Sequence, residues 1–198
     1  MIARRALFCA AALALALARV GQAAPTAEVT PGAISVSASA HSIRQGADAH
    51  SEIYEAQFGI TPNLGVTAEA ARISDDEGRT HIGSVYFQRP ITFAAPYKPC
   101  LAAYAGVIWL DVKDRFGNRS EETGPAVGAI ADLPVRPGLT FYGRASAAFL
   151  DNHLWTLDFG IRYEVRPRWF LSLGYRSYDV EGSSLGGFLV GAAYRAAQ

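Results

Sequence analysis

Along most of this chain apolar and polar residues alternate with a period of two. The clearest run is Trp155 to Tyr178, where Trp155, Leu157, Phe159, Ile161, Tyr163 and Val165 alternate with Thr156, Asp158, Gly160, Arg162 and Glu164. After Arg166-Pro167-Arg168, Trp169, Leu171, Leu173 and Tyr175 alternate with Ser172, Gly174 and Arg176. Such alternation puts all apolar side chains on one face of an extended strand. Similar segments lie at about 33–40, 51–60, 64–73, 81–89, 124–132, 139–149 and 185–195. The segment at about 100–110 is apolar on both faces, so its facing is not assigned. The pattern predicts an all-β, antiparallel, up-and-down barrel of ten strands, with eight as the alternative count.

The connections differ by parity. Every second one holds proline, at Thr61-Pro62, Arg89-Pro90, Arg136-Pro137 and Arg166-Pro167. The others carry charge or small polar residues and no proline, the longest being 111–123. Proline cannot donate a ladder hydrogen bond and suits strand ends. Tight turns at one end and longer polar loops at the other are expected of a bacterial outer-membrane barrel, with the tight end periplasmic.

Alternation alone does not decide which face points outward, and a soluble lipocalin-like barrel would hide the apolar face inside. The polar face holds Glu55, Glu69, Arg144, Asp158, Arg162, Glu164 and Arg176. On a lipid-facing surface an arginine near the midplane costs about 2–4 kcal/mol, so these are expected to line the lumen. Apolar-face aromatics collect at strand ends: Phe149 and Trp155 toward the loops, Phe141, Tyr163, Trp169 and Tyr194 toward the turns. That distribution matches two interfacial girdles. Strands near ten residues also match the tilted span of a bilayer core.

Arg4-Arg5, the apolar run Ala6 to Ala18 and the small residues Gly21-Gln22-Ala23 predict an export signal cut after Ala23. The domain is then 24–198, in the outer membrane. With Arg4, Arg5 and Arg19 removed, 15 Lys and Arg stand against 18 Asp and Glu, which argues against a nucleic-acid partner. Cys100 is the one cysteine of the mature chain, so neither an intramolecular disulfide nor a paired-cysteine zinc site is expected.

Little catalytic chemistry stands out. A lipid hydrolase at the outer rim would need a serine and a histidine in reach of each other, and Ser42 with His50 across two strands is the available pair. Asp111 to Glu122 has acids at both ends of a twelve-residue window, but Lys113 and Arg115 occupy positions where calcium needs oxygen ligands. Asp75-Asp76-Glu77 could hold a divalent cation among lipid phosphates, or be a solvated acidic loop. No motif asks for a cofactor.

The run Ile60 to Pro90 (ITPNLGVTAEAARISDDEGRTHIGSVYFQRP), the proline turn before Trp169-Phe170-Leu171, and GYRSYDVEG with its glycine-rich final strand resemble the YfaZ family of outer-membrane proteins. The resemblance covers most of the mature chain. It implies an outer-membrane barrel and brings no catalytic residues. The end departs from the usual terminal aromatic: Tyr194 is followed by Arg195-Ala196-Ala197-Gln198. The expected role is structural or that of a narrow channel. The expected partners are outer-membrane lipids, lipopolysaccharide and, during folding, the barrel-assembly machinery. The protein is expected to be a monomer.

Overall fold

The computed structural model describes residues 26–45, 47–75, 78–92, 99–180 and 183–196. Within them run ten strands: β1 Ile34–Gln45, β2 Ala47–Thr61, β3 Leu64–Asp75, β4 Gly78–Thr92, β5 Cys100–Asp114, β6 Arg119–Arg136, β7 Leu139–Ala148, β8 Leu154–Arg166, β9 Trp169–Val180 and β10 Ser183–Ala196. Each pairs antiparallel with its sequence neighbours, and β1 pairs with β10, which closes the barrel. Closure leaves no open edge, so every strand finds its backbone partners within the sheet. Among the described residues no helix is long and apolar enough to cross a membrane.

The side chains divide as the alternation predicts. Phe58, Phe87, Val107, Val127, Leu157, Phe159, Leu171, Leu173, Phe188 and Val190 are each 45% or more exposed on the outside. Ser37, His41, Glu55, Gln57, Glu69, Gln88, Arg144, Asp158, Arg162 and Arg176 are buried inside. A water-soluble barrel would have this arrangement inverted. From Trp155 to Val165 the apolar row on β8 runs about 33 Å along the strand, which projects to about 25 Å at a typical barrel tilt, the height of a membrane barrel's apolar band. The barrel is therefore a membrane-spanning one. Trp169 and Tyr194 stack 5.2 Å apart near the turn end of the band.

β5 acquires a facing. Ala102, Tyr104 and Ile108 are buried inside, while Ala103, Ala105 and Val107 are exposed outside. Both faces are apolar because an apolar cluster occupies this part of the interior as well. The barrel departs from expectation at its loop end. Strands extend well into the segments read as loops, and 111–123 shrinks to residues 115–118 between β5 and β6. Charge does not end a strand whose two faces both meet water; Gly117, at φ 88°, is what turns the chain. The widest sequence separation between the ends of successive strands is instead at the turn end, from Thr92 of β4 to Cys100 of β5. At that end Pro137-Gly138 and Pro167-Arg168 make two-residue turns whose second residue has positive φ, 79° at Gly138 and 73° at Arg168. β10 continues past Tyr194 to Ala196 in register with β1, Tyr194 opposite Val36. The predicted signal peptide 1–23 lies outside the described residues, as do Asp76 and Glu77 of the acidic loop.

Candidate functional site

Five of the seven predicted lumen charges meet at the centre of the barrel. Arg144, Asp158 and Arg176 are direct cross-strand partners on β7, β8 and β9, while Glu55 and Glu69 are partners on β2 and β3 across the lumen. Arg144 donates from Nη1 to Glu55 Oε1 at 2.7 Å and from Nη2 to Glu69 Oε2 at 2.5 Å. Arg176 donates from Nη2 to Asp158 Oδ2 at 2.6 Å and from Nη1 to Glu69 Oε1 at 3.3 Å. Ser37 adds a bond to Glu55 Oε2 at 3.1 Å, and Arg176 Nη1 also reaches the Tyr178 hydroxyl at 3.3 Å. Two planar guanidiniums thus fork between three carboxylates, a geometry arginine suits and lysine does not.

The other two predicted charges sit elsewhere. Arg162 pairs with Asp132 at 3.5 Å, nearer the turn end. Glu164 is only partly buried and accepts the Arg168 backbone N–H at the β8–β9 turn, 3.2 Å away. It caps the turn and is not part of the central network.

The lumen holds more than the charges singled out from the sequence. His41 is buried beside Tyr178, with Nε2 3.1 Å from the Arg176 carbonyl. Tyr86 and Tyr104 pack edge to face at 4.7 Å, and the Tyr104 hydroxyl donates to the Ala145 carbonyl. Toward the loop end the wall contributes Ala49, Ile73, Ile82, Leu150 and Leu154 to a packed apolar cluster, with Leu110, Val180 and Leu185 against it. Tyr86 occupies an inward position of the alternation, whereas Tyr104 belongs to the segment whose facing the pattern does not assign. Which inward residues would meet depends on strand tilt and register, which alternation does not carry.

The segment before β1 is the largest omission. It lacks periodicity and reads as a lead-in, yet Thr26 and Ala27 are 2% and 0% exposed. The Thr26 backbone N–H donates to Gln57 Oε1 at 3.1 Å, and the Thr26 carbonyl accepts from Gln57 Nε2 at 2.8 Å and also from Gln88 Nε2. The Ala27 N–H donates to Asp132 Oδ2 at 2.8 Å. Below it, at the turn-end mouth, opens a cavity of about 760 Å³ lined by Thr26, Glu28, Cys100, Asp132, Arg162, Glu164, Phe170 and Arg195 among others.

Ser42 and His50, the hydrolase pair weighed from the sequence, are cross-strand partners at the loop end of β1 and β2. Both are exposed on the outer surface. Among the described residues no hydrogen bond joins them. Nor do the described residues hold a group of three His, Cys, Asp or Glu placed to bind a metal ion.

No protein-family model matches the chain, and no curated protein does either. Solved structures do. The outer-membrane protein OprG from Pseudomonas aeruginosa is 9% identical over 88% of this chain and 100% of its own, with a TM-score of 0.45. Ail, the attachment invasion locus protein of Yersinia pestis, is 13% identical over 84% of this chain and 100% of its own, with a TM-score of 0.40. A de novo designed transmembrane β-barrel is 16% identical over 85% of this chain and 99% of its own, with a TM-score of 0.45. Each resembles this chain at low identity. The ten-stranded closed barrel itself is read from the strand pairing.

Proposed function

We propose that the protein is an integral barrel of the bacterial outer membrane with a structural role and a lumen that does not conduct. The observation that carries this reading is the central network. Arg144 and Arg176, with Glu55, Glu69 and Asp158, join β2 and β3 to β7, β8 and β9 straight across the bore, all of them buried. A selectivity lining leaves its charged groups facing water so that ions can enter and leave. Here the charges are spent on one another, and an apolar cluster covers them toward the loops. The export signal at 1–23 and the apolar exterior support the outer membrane as the location. Membership of the YfaZ family is proposed on the shared hairpin residues alone.

Planar-bilayer recording tests the closed lumen. Folded protein, identified by heat-modifiable migration from outer-membrane fractions, is expected to give no conductance steps. Sustained steps from the unmodified protein would make it a channel, and recovery only from soluble periplasm would overturn the membrane location.

One observation favours a second reading, a lipid-modifying hydrolase. The register sets Ser42 directly opposite His50 on the outer surface at the rim, with Phe188 of β10 on the other side of Ser42. A hydrolase would need the imidazole to take the Ser42 proton as the hydroxyl attacks an ester. Release of fatty acid from phospholipid vesicles, abolished in Ser42→Ala, is its signature; no release from the folded wild type removes it.

A further inference from the structure

At the loop end, strands β3 to β5 carry a cluster of cations on their outer face. The register sets His50, Ser74, Arg79, Lys113 and Arg119 in one outward row across β2 to β6. The next row toward the bilayer holds Glu52, Arg72, His81, Asp111 and Glu121. Arg72, Arg79, His81 and Lys113 are all exposed. Opposed residues on one face have Cβ atoms about 5 Å apart, so Arg79 and Lys113 stand side by side, with Arg72 and His81 about 7 Å lower. Like charges directly opposite each other weaken a strand pair. The acids nearby do not offset this one. Asp111 and Glu121 both bind Arg119, at 2.5 and 3.1 Å, and Asp114 ties the hairpin tip. Glu52 stands opposite Arg72, yet among the described residues Arg72, Arg79 and Lys113 enter no ion pair. The cluster is also one-sided. On β8 and β9 the outward positions at the same end are Trp155, Ser177 and Asp179, with no lysine or arginine.

We propose that this corner binds the phosphate groups of a phosphorylated glycolipid of the outer leaflet, held by Arg72, Arg79 and Lys113. The inference rests on the outer-membrane reading above, which puts the loop end at that leaflet. In the row just below the cations, Trp109 stands opposite Gly83. A side chain at Gly83 would overlap the Trp109 ring, so the indole lies flat across the bare glycine. An outward tryptophan at the edge of the apolar band marks headgroup level. The two rows of cations then lie about 7 and 14 Å further along the strands, at the depth of headgroup phosphates. Strand side chains stand roughly perpendicular to their sheet, so these point sideways into the headgroup layer and not up into the medium. Each guanidinium can offer a phosphate two parallel N–H donors, and Lys113 adds a point charge. Beneath Trp109 the wall is shallow, with Ala68, Ala70, Ala103 and Ala105 toward lipid, which leaves room for acyl chains against the barrel.

Lipid retention by the refolded barrel tests this. Protein in detergent micelles is incubated with bisphosphorylated lipid A, passed through gel filtration and weighed intact by mass spectrometry. The wild type is expected to keep lipid A, and the combined variant Arg72→Ala, Arg79→Ala, Lys113→Ala to keep at least about 10-fold less at the same lipid concentration. Arg136→Ala, which removes an exposed cation at the turn end, should match the wild type. Lipid A stripped of its phosphates should be lost from the wild type, a comparison that needs no variant to fold. Equal retention by the wild type and the combined variant, both heat-modifiable, would overturn the site. Equal retention of the dephosphorylated lipid would reduce it to acyl packing and overturn the phosphate contacts. Retention of dextran sulfate but not of lipid A would assign the corner to a soluble polyanion and overturn the lipid. Each of these failures is read on a heat-modifiable barrel and leaves the outer-membrane reading standing, which falls only on recovery from soluble periplasm.

Discussion

Arg176 is a full-length guanidinium with 1% of its surface exposed, at the middle of a bore whose outside faces lipid. It persists there because Asp158, Glu69 and the Tyr178 hydroxyl surround it. Removing one partner from a buried charge cluster leaves the others unpaired, and typically costs about 3–5 kcal/mol. Arg176→Ala is expected to lower the stability of the folded barrel by that amount, read as a shift in the urea midpoint in lipid vesicles. Arg119→Ala is the contrasting case, because Arg119 meets Asp111 at the wet rim with 57% of its side chain exposed. It should leave the midpoint where it was. The alternation made Arg176 legible as a lumen residue. Asp132 and Gln88 are equally inward, but nothing in the local pattern says that a distant segment will present a backbone N–H or carbonyl to them.

At the scale of the element, the β5–β6 hairpin shows how far strands can run into a segment that looks like a loop. Its charged residues continue the ladder beyond the apolar band, with Asp111 opposite Glu121 and Lys113 opposite Arg119. Like charges facing each other weaken a strand pair, and Arg119 offsets this by forking onto Asp111. Sequence charge marked where the chain leaves lipid; it could not mark where pairing stops. The tip is tied by Asp114, which accepts from the Asn118 side chain at 2.7 Å and from the backbone N–H groups of Phe116 and Asn118 at 2.8 Å each. Those bonds, the Asn118 amide first, hold its carboxyl below the ordinary range. A depressed carboxylate stabilises the fold above its unfolded pKa, and the contribution disappears as pH falls through the lower, folded value. Exchange protection of the Phe116 and Asn118 amides is therefore expected to fall below about pH 4, and the step should be absent in Asp114→Asn.

For the whole molecule, ten strands and an outward apolar face were legible because both follow from a period of two and from turn chemistry. The segment at Thr26–Ala33 was not, since it contributes no strand and the side chains that hold Thr26 and Ala27 lie 31 to 105 residues away. The loop end is likewise shorter than composition suggested. The central network has a kinetic counterpart. Its carboxylates come from β2, β3 and β8 and its arginines from β7 and β9, so the bonds across the bore span 75 to 107 residues of chain. A half-assembled sheet in the bilayer would keep the Arg176–Asp158 pair of β8 and β9 but leave Glu55, Glu69 and Arg144 without their partners across the bore, at a cost of about 2.5–3.5 kcal/mol for each one near the midplane. No partial barrel is then a comfortable resting state. The first and last hairpins must come together in a single cooperative event, and opening the β1–β10 seam should release the bonds across the bore together.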